Sequence, residues 1–275
     1  MSKTSLYSPA VALEFFRAAG KPEKVVAGSR FFAENEKARP LFFMRDKMYL
    51  LLEGEVDLVA RRKVIGTVLK GQVFGEMASI THAPRSASAV AKTACRVIAL
   101  DDKQFRSGLE KKPAFALTLM SIMIGRLRET IARLAEQTTL RGDAAMKEAT
   151  VFDPRRLAEM AEGLSSDVPV YFDRGKSIVQ EGQPGLRMYA VQEGRVAVSI
   201  AGGVVERLGP GGVFGELALI EQAPRMASVT AETDCQLLPI NRVAFELLVK
   251  TSPDFAESLL GALAERLRLL TAHLK

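Results

Sequence analysis

The chain has 275 residues, 48% of them apolar and 25% charged, which is a globular composition and excludes a disordered or low-complexity protein. No apolar run approaches bilayer-spanning length, and the N-terminal MSKTSLYSPAVALEFF lacks the features of a signal peptide, so a cytoplasmic location with no membrane partner is expected. Two histidines and two cysteines without ligand spacing argue against a metal site, and the net charge of +6 divides unevenly, +9 over residues 1–140 and −3 over 141–275.

Pro9 to Ala19, with Val11, Leu13, Phe15 and Phe16 apolar, predicts a short helix ended near Gly20-Lys21-Pro22. From Val25 to Leu100 the pattern changes to short apolar or alternating runs, too closely spaced for crossover helices. They predict an antiparallel roll or jelly-roll barrel, because closure removes exposed edges. The basic charges of this half are scattered apart from Arg61-Arg62-Lys63 at a predicted hairpin tip, which fits a solvated face better than a nucleic-acid partner. Phe105 opens a helical region broken at Pro113. Met120, Ile124, Leu127, Ile131 and Leu134 then form a heptad seam, with Arg126, Arg128, Arg133 and Glu136 off it.

Arg141-Gly142-Asp143 marks a junction, giving predicted domains at 1–140 and 141–275, and a helix at Pro154 to Ala161 is expected to open the second. The strand pattern then repeats. GKSIVQEGQPGLRMYAVQEGRVAVSI carries Gly175, Gly182 and Gly185 for tight turns; a slide of 140 residues sets Asn35, Phe42 and Arg45 against them. The first roll is therefore expected to keep register but to lose the glycines and reshape its loops near a ligand. Leu260, Leu263, Leu267, Leu270 and Leu274 make a second seam, corresponding to the first. The seams fit either a lid over each barrel or pairing of the long helices, within one chain or across a homodimer.

One stretch occurs twice. Gly71 to Cys95 and Gly211 to Cys235 align without a gap, and 15 of the 25 positions are identical. The identities include Phe-Gly-Glu at 74–76 and 214–216 and Ala-Pro-Arg at 83–85 and 223–225. Gly75 and Gly215 allow a tight strand-to-helix turn, so that backbone N–H groups at Ala78 or Ala218 can point at an anion. Arg85 and Arg225 add a fixed charge and a planar fork that matches two phosphate oxygens. Glu76 and Glu216 are acceptor-only when ionised, and a ribose hydroxyl is a suitable donor. Cys95 and Cys235 occupy equivalent positions and read as buried thiols rather than a disulfide.

F-G-E-[LM]-A followed by A-P-R and A-S-x-x-A resembles the phosphate-binding cassette of the cyclic-nucleotide-binding domain, as in protein kinase A regulatory subunits and catabolite activator proteins. In that family the glutamate binds the ribose 2′-hydroxyl, the arginine binds exocyclic phosphate oxygens, and neighbouring backbone amides complete the cradle. The resemblance implies two tandem β-rolls, each followed by a long helix. It also implies ligand-binding roles for Gly75, Glu76, Met77, Ala78, Arg85 and Ser86 in the first copy and Gly215, Glu216, Leu217, Ala218, Arg225 and Met226 in the second. A hydroxyl residue after the arginine can contact guanine in the family and is also found in adenine-selective members. Ser86 thus admits cAMP or cGMP at the first site, while Met226 leans the second towards cAMP. Thr130 lies near where the family places an adenine contact; Thr271 is one step out of register.

No catalytic constellation is present, since neither His82 nor His273 sits with a nucleophile or a second base. Glu76 and Glu216 are each expected to partner the arginine of their own cassette, which suits binding rather than catalysis, with no cofactor beyond the nucleotide. Residues 1–24 hold no Arg-Arg-x-Ser-like inhibitor segment, and no helix-turn-helix follows the long helix. The expected function is a cAMP sensor without its own output domain, signalling to an unidentified effector protein through movement of the long helices. The alternatives are a ligand-independent adaptor on a degenerate fold, and nucleic-acid binding by the basic first domain.

Overall fold

The computed structural model describes residues 8–37, 46–136, 151–153, 155–156, 159, 163 and 168–273. Contacts divide the chain into two compact units between Leu119 and Met120, inside a long helix.

The first unit opens with α1 (Pro9–Ala19), where Ser8 caps the helix by accepting from the Val11 N–H and Pro9 occupies the first turn. Phe15 and Phe16 are buried, and the Phe15 ring stacks on Phe115 with centroids 3.9 Å apart. The strands β1 (Lys21–Val25), β2 (Arg30–Phe32), β3 (Lys47–Glu53), β4 (Val56–Ala60), β5 (Lys63–Val68) and β6 (Val73–Phe74) follow, then α2 (Glu76–Thr81), β7 (Ser88–Ala91) and β8 (Cys95–Asp101). They form two antiparallel four-stranded sheets, in the orders β1-β8-β3-β6 and β2-β7-β4-β5. Tyr49, Leu51, Phe74, Val97 and Ala99 from one sheet pack against Phe32, Val56, Val68, Ala89 and Ala91 from the other. Strand alternation thus delivers one buried face per sheet, and the two faces make the core. α3 (Asp102–Lys111) begins with a capping box between Asp101 and Gln104, and Pro113 separates it from α4 (Ala114–Glu136).

The second unit repeats this plan. Strands β9 (Val170–Phe172), β10 (Ser177–Val179), β11 (Arg187–Glu193), β12 (Val196–Ile200), β13 (Gly203–Leu208) and β14 (Val213–Phe214) precede α5 (Glu216–Glu221), β15 (Ser228–Ala231) and β16 (Cys235–Asn241). Helices α6 (Arg242–Thr251) and α7 (Pro253–His273) follow. The sheet orders are β14-β11-β16-β9 and β10-β15-β12-β13. Bulges recur at the same places, between Leu51 and Glu53 and between Val191 and Glu193. This is the expected fold, two tandem β-rolls with flanking helices.

The expected register of the first roll needs correction. From β3 onward the two copies correspond at 140 residues, but before it they correspond at 147. Val25 pairs with Cys95 as Phe172 pairs with Cys235. The Gly28 N–H donates to Ala91 O as the Gly175 N–H donates to Ala231 O. Gly28 (φ +81°) is thus the counterpart of Gly175 (φ +84°), and that glycine is kept. Asn35 is the counterpart of Gly182, not of Gly175: its N–H donates to Arg85 O at 2.9 Å, as that of Gly182 does to Arg225 O. Asn35 holds φ 63°, a left-handed conformation that asparagine tolerates better than most residues. The cause is the β2–β3 connection, residues 33–46, seven longer than 180–186 between β10 and β11. Phe42 and Arg45 lie outside the described residues.

Cys95 and Cys235 are free, buried thiols that each donate to two backbone carbonyls, as expected for one core position used twice. Arg61 and Arg62, both at positive φ, form the tip of the β4–β5 hairpin. Among the described residues no helix is long and apolar enough to cross a membrane. The 141–143 junction, the Leu134 side chain and Leu274 fall outside the described residues, as does the predicted 154–161 helix except for Arg155, Arg156 and Glu159, which are helical.

Candidate nucleotide site

Gly215 ends β14 in a left-handed conformation, φ 84°, and turns the chain directly into the six-residue α5. A side chain there would be strained by the backbone and would also meet the Arg225 guanidinium, 2.5 Å from Nη1. The turn sets Glu216 at the first position of α5 and points it inward, 1% exposed. Arg225 returns from the loop after α5 and is 8% exposed. Together they border a pocket with about 730 Å³ of empty space, part of it open to solvent. All six residues predicted for the second copy, Gly215, Glu216, Leu217, Ala218, Arg225 and Met226, line it.

Arg225 donates from Nη1 to Gly215 O at 2.7 Å and from Nη2 to Arg187 O at 2.6 Å. Among the described residues it has no ion pair, so a buried cation borders the pocket with the Glu216 carboxylate near it but not paired to it. Burial pushes its pKa down, with Tyr189 and Glu216 acting against the shift. The arginine that pairs with Glu216 is a different one from that expected. Arg266, on α7, donates from Nη1 to Glu216 Oε1 at 2.5 Å, from Nε to Glu206 Oε2 at 2.9 Å and from Nη2 to Val213 O at 2.6 Å. Burial acts to lower the Arg266 pKa, but the charges of Glu206 and Glu216 outweigh it and hold the group above its ordinary value. Burial raises Glu216 against the pull of Arg266. Its second oxygen, Oε2, is buried with no hydrogen-bond partner among the described residues. Such an acceptor costs about 1–3 kcal/mol until a donor reaches it.

Two long helices reach this cassette. Glu216, first in α5, is held by Arg266 of α7; Glu221, last in α5, is held by Arg128 of α4 at 2.5 Å. Leu127 and Ile131 of α4 and Leu270 of α7 supply apolar pocket wall. Thr130 is 8% exposed on α4 and is not among the residues that line this second-cassette pocket.

The first cassette has the same backbone and a different interior. Gly75 (φ 76°) opens α2, Glu76 and Ala78 are buried, Met77 is half-buried, and exposed Ser86 contacts Met77 Sδ at 3.8 Å. Arg85 Nη1 donates to Gly75 O at 2.7 Å and Nη2 to Lys47 O at 2.9 Å. Its ion-pair partner is Asp46, at 3.2 Å, rather than Glu76. Burial raises the Asp46 carboxyl, with Arg85 opposing, and lowers Arg85. The Phe32 ring lies over Arg85, with Cζ 4.2 Å from the centroid.

Two copies of a glycine turn, an inward glutamate and a buried arginine, each on its own β-roll, are the pattern of one known family. The cyclic nucleotide-binding domain matches residues 22–112 and 169–252. The chain belongs to that family. It is 30% identical over 205 residues to a cAMP-dependent protein kinase regulatory subunit of Eremothecium gossypii, a match covering 74% of this chain and 40% of the relative. Across three such fungal regulatory subunits the match spans 40–50% of the relative's length. Among solved structures, the cAMP-bound regulatory domain of Toxoplasma gondii PKA is 24% identical, with 92% of this chain and 88% of that one covered and a TM-score of 0.33. The Thermus thermophilus catabolite activator protein is 31% identical over 45% of this chain and 59% of its own, with a TM-score of 0.39.

For a cyclic nucleotide-binding domain, sequence reasoning missed Arg266 and Glu206. An arginine beside the leucine seam, repeated as Arg126, was the available signal for the first. Nothing local marked Glu206, whose counterpart is Gly66.

Proposed function

We propose that this chain is a cyclic-nucleotide sensor that takes cAMP in the second cassette and relays occupancy through α4 and α7 to a separate effector protein. The observation that carries this reading is Arg225, a buried guanidinium on a pocket wall with no ion pair among the described residues. A singly charged phosphodiester would give it a counter-charge, and a ribose hydroxyl would give Glu216 Oε2 a donor. A free phosphate ion would satisfy the first group and be repelled by the second. Met226, which lines the pocket without a hydroxyl, favours adenine over guanine.

The relay has a physical basis in the clamping of α5 at both ends by Arg128 and Arg266. A ligand that moves the cassette must strain or shift two long helices, and it changes their equilibrium by its difference in affinity for the two arrangements. The fungal relatives are regulatory subunits of a kinase, so a kinase catalytic subunit is the class of effector proposed, with this chain acting by binding rather than catalysis and working in the cytoplasm. Titration calorimetry with cAMP and cGMP on the parent protein and Arg225→Ala tests the ligand. The parent should bind cAMP more tightly than cGMP, and Arg225→Ala should lose the event. Unchanged hydrogen exchange in α4 and α7 on saturation with cAMP would end the relay proposal.

A further inference from the structure

The two cassettes share a backbone but differ in what surrounds the arginine: Arg85 is paired with Asp46 and covered by the Phe32 ring. Phe32 of β2 and Val179 of β10 are counterparts in the 147-residue register, each 7% exposed and each in the core of its roll. Val179 is short and leaves open the pocket it helps to line. The Phe32 ring extends over the cassette: a methyl group built on Gly75 would sit 3.0 Å from Phe32 Cε1 and 3.2 Å from Arg85 Nη1. Around Gly215 the three nearest atoms belong to Arg225 and Arg187, and none to β10. The ring thus covers both the turn glycine and the guanidinium that a phosphodiester would have to reach. It is also fixed from behind, stacked at 6.3 Å on Tyr49 and set 6.3 Å from Phe74.

We infer that Phe32 closes the first cassette from within, so that the chain takes one cyclic nucleotide, at Arg225, while the first roll keeps the fold without the ligand. Phe32 is then the residue that sets the stoichiometry of this protein. Arg85 in the closed cassette has its donors on Gly75 O and Lys47 O, its charge on Asp46 and its face on Phe32, and it needs no ligand to be satisfied. The inference rests on the nucleotide-binding reading of the cassette, and its test separates the two.

Equilibrium dialysis with radiolabelled cAMP on the full chain measures nucleotide bound per chain at saturation. The wild type should bind one, Arg225→Ala none, and Arg85→Ala one, as in the wild type. Phe32→Val, which installs the second roll's residue, should double the bound nucleotide, and adding Arg85→Ala to it should remove the gain. Two nucleotides on the wild type, one of them lost in Arg85→Ala, would overturn the inference. So would a folded Phe32→Val protein with no Arg85-dependent gain. If the wild type binds nothing while Phe32→Val gains an Arg85-dependent site, the function proposed for the second cassette fails and the role of Phe32 stands. Thermal melting checks that Phe32→Val is folded; should it not fold, the Arg85→Ala comparison in the otherwise wild-type chain decides alone.

Discussion

Arg266 Nη1 lies 2.5 Å from Glu216 Oε1, joining the last long helix to the first residue of the cassette helix. Glu216 is 1% exposed at its side chain and Arg266 14%, so the pair is shielded from solvent, and Glu206 shares the same guanidinium. Arg266→Met should leave the buried Glu216 carboxylate and the partly exposed Glu206 carboxylate without the guanidinium that pairs with both. The expected cost is about 3–5 kcal/mol of unfolding free energy, read by urea denaturation. A loss under about 1 kcal/mol would mean that the pair is not formed in solution.

Gly215→Ala is expected to cost more than Gly202→Ala, although both glycines have positive φ, +84° and +81°. Nothing lies within 4 Å of a methyl group at Gly202, whereas at Gly215 it would meet Arg225 Nη1 at 2.5 Å. Gly202→Ala should therefore show only the backbone penalty, about 1–2 kcal/mol. Gly215→Ala should add displacement of Arg225 and lose cAMP binding. Equal melting temperatures for the two variants, with binding retained in both, would contradict the geometry.

How far the sequence reached follows from how local each feature is. The cassette was legible because its turn glycine, its glutamate and its arginine lie within eleven residues, and because a second copy repeated them. Strand alternation between Val25 and Leu100 and the Pro113 break likewise marked the roll and the start of α4 from neighbouring residues alone, although β1, Lys21–Val25, begins before the predicted strands. The Glu206–Arg266–Glu216 cluster was not legible, since it joins a strand, a short helix and a long helix that meet only after folding. The register before β3 was misjudged because a fixed slide of 140 cannot show a length change inside a loop. Phe32 escaped notice for a third reason: an apolar residue on a strand reads as core in both rolls, and only the direction of its ring distinguishes them.

Tyr49 should titrate late. Burial pushes its phenol from 10.0 up to about 12, with Glu23 adding to the shift and Arg85 opposing it. The unfolded chain gives up this proton near pH 10 while the folded chain keeps it, so the contribution is fully present below pH 10.0 and is lost as pH rises through about 12. Two units correspond to about 3 kcal/mol. Absorbance titration of the phenolates should show a class ionising near pH 12 that is missing in Tyr49→Phe. In that variant the loss of stability between pH 10 and 12 should also be smaller.

Ile131 tests whether α4 belongs to the ligand site. It lines the pocket and is only half-buried, so Ile131→Ala should remove apolar contact with a bound base at little cost to folding. Loss of this contact is worth roughly 1–2 kcal/mol, or about 5- to 30-fold in the dissociation constant for cAMP. Val243→Ala, on α6 and 79% exposed, serves as the control and should leave affinity unchanged. Calorimetric titration of both variants checks this. Weaker cAMP binding by Ile131→Ala alone would place α4 against the nucleotide, where ligand occupancy can act on it directly; equal binding by both would remove Ile131 from the site and leave Leu127 as the only residue of α4 on the pocket wall.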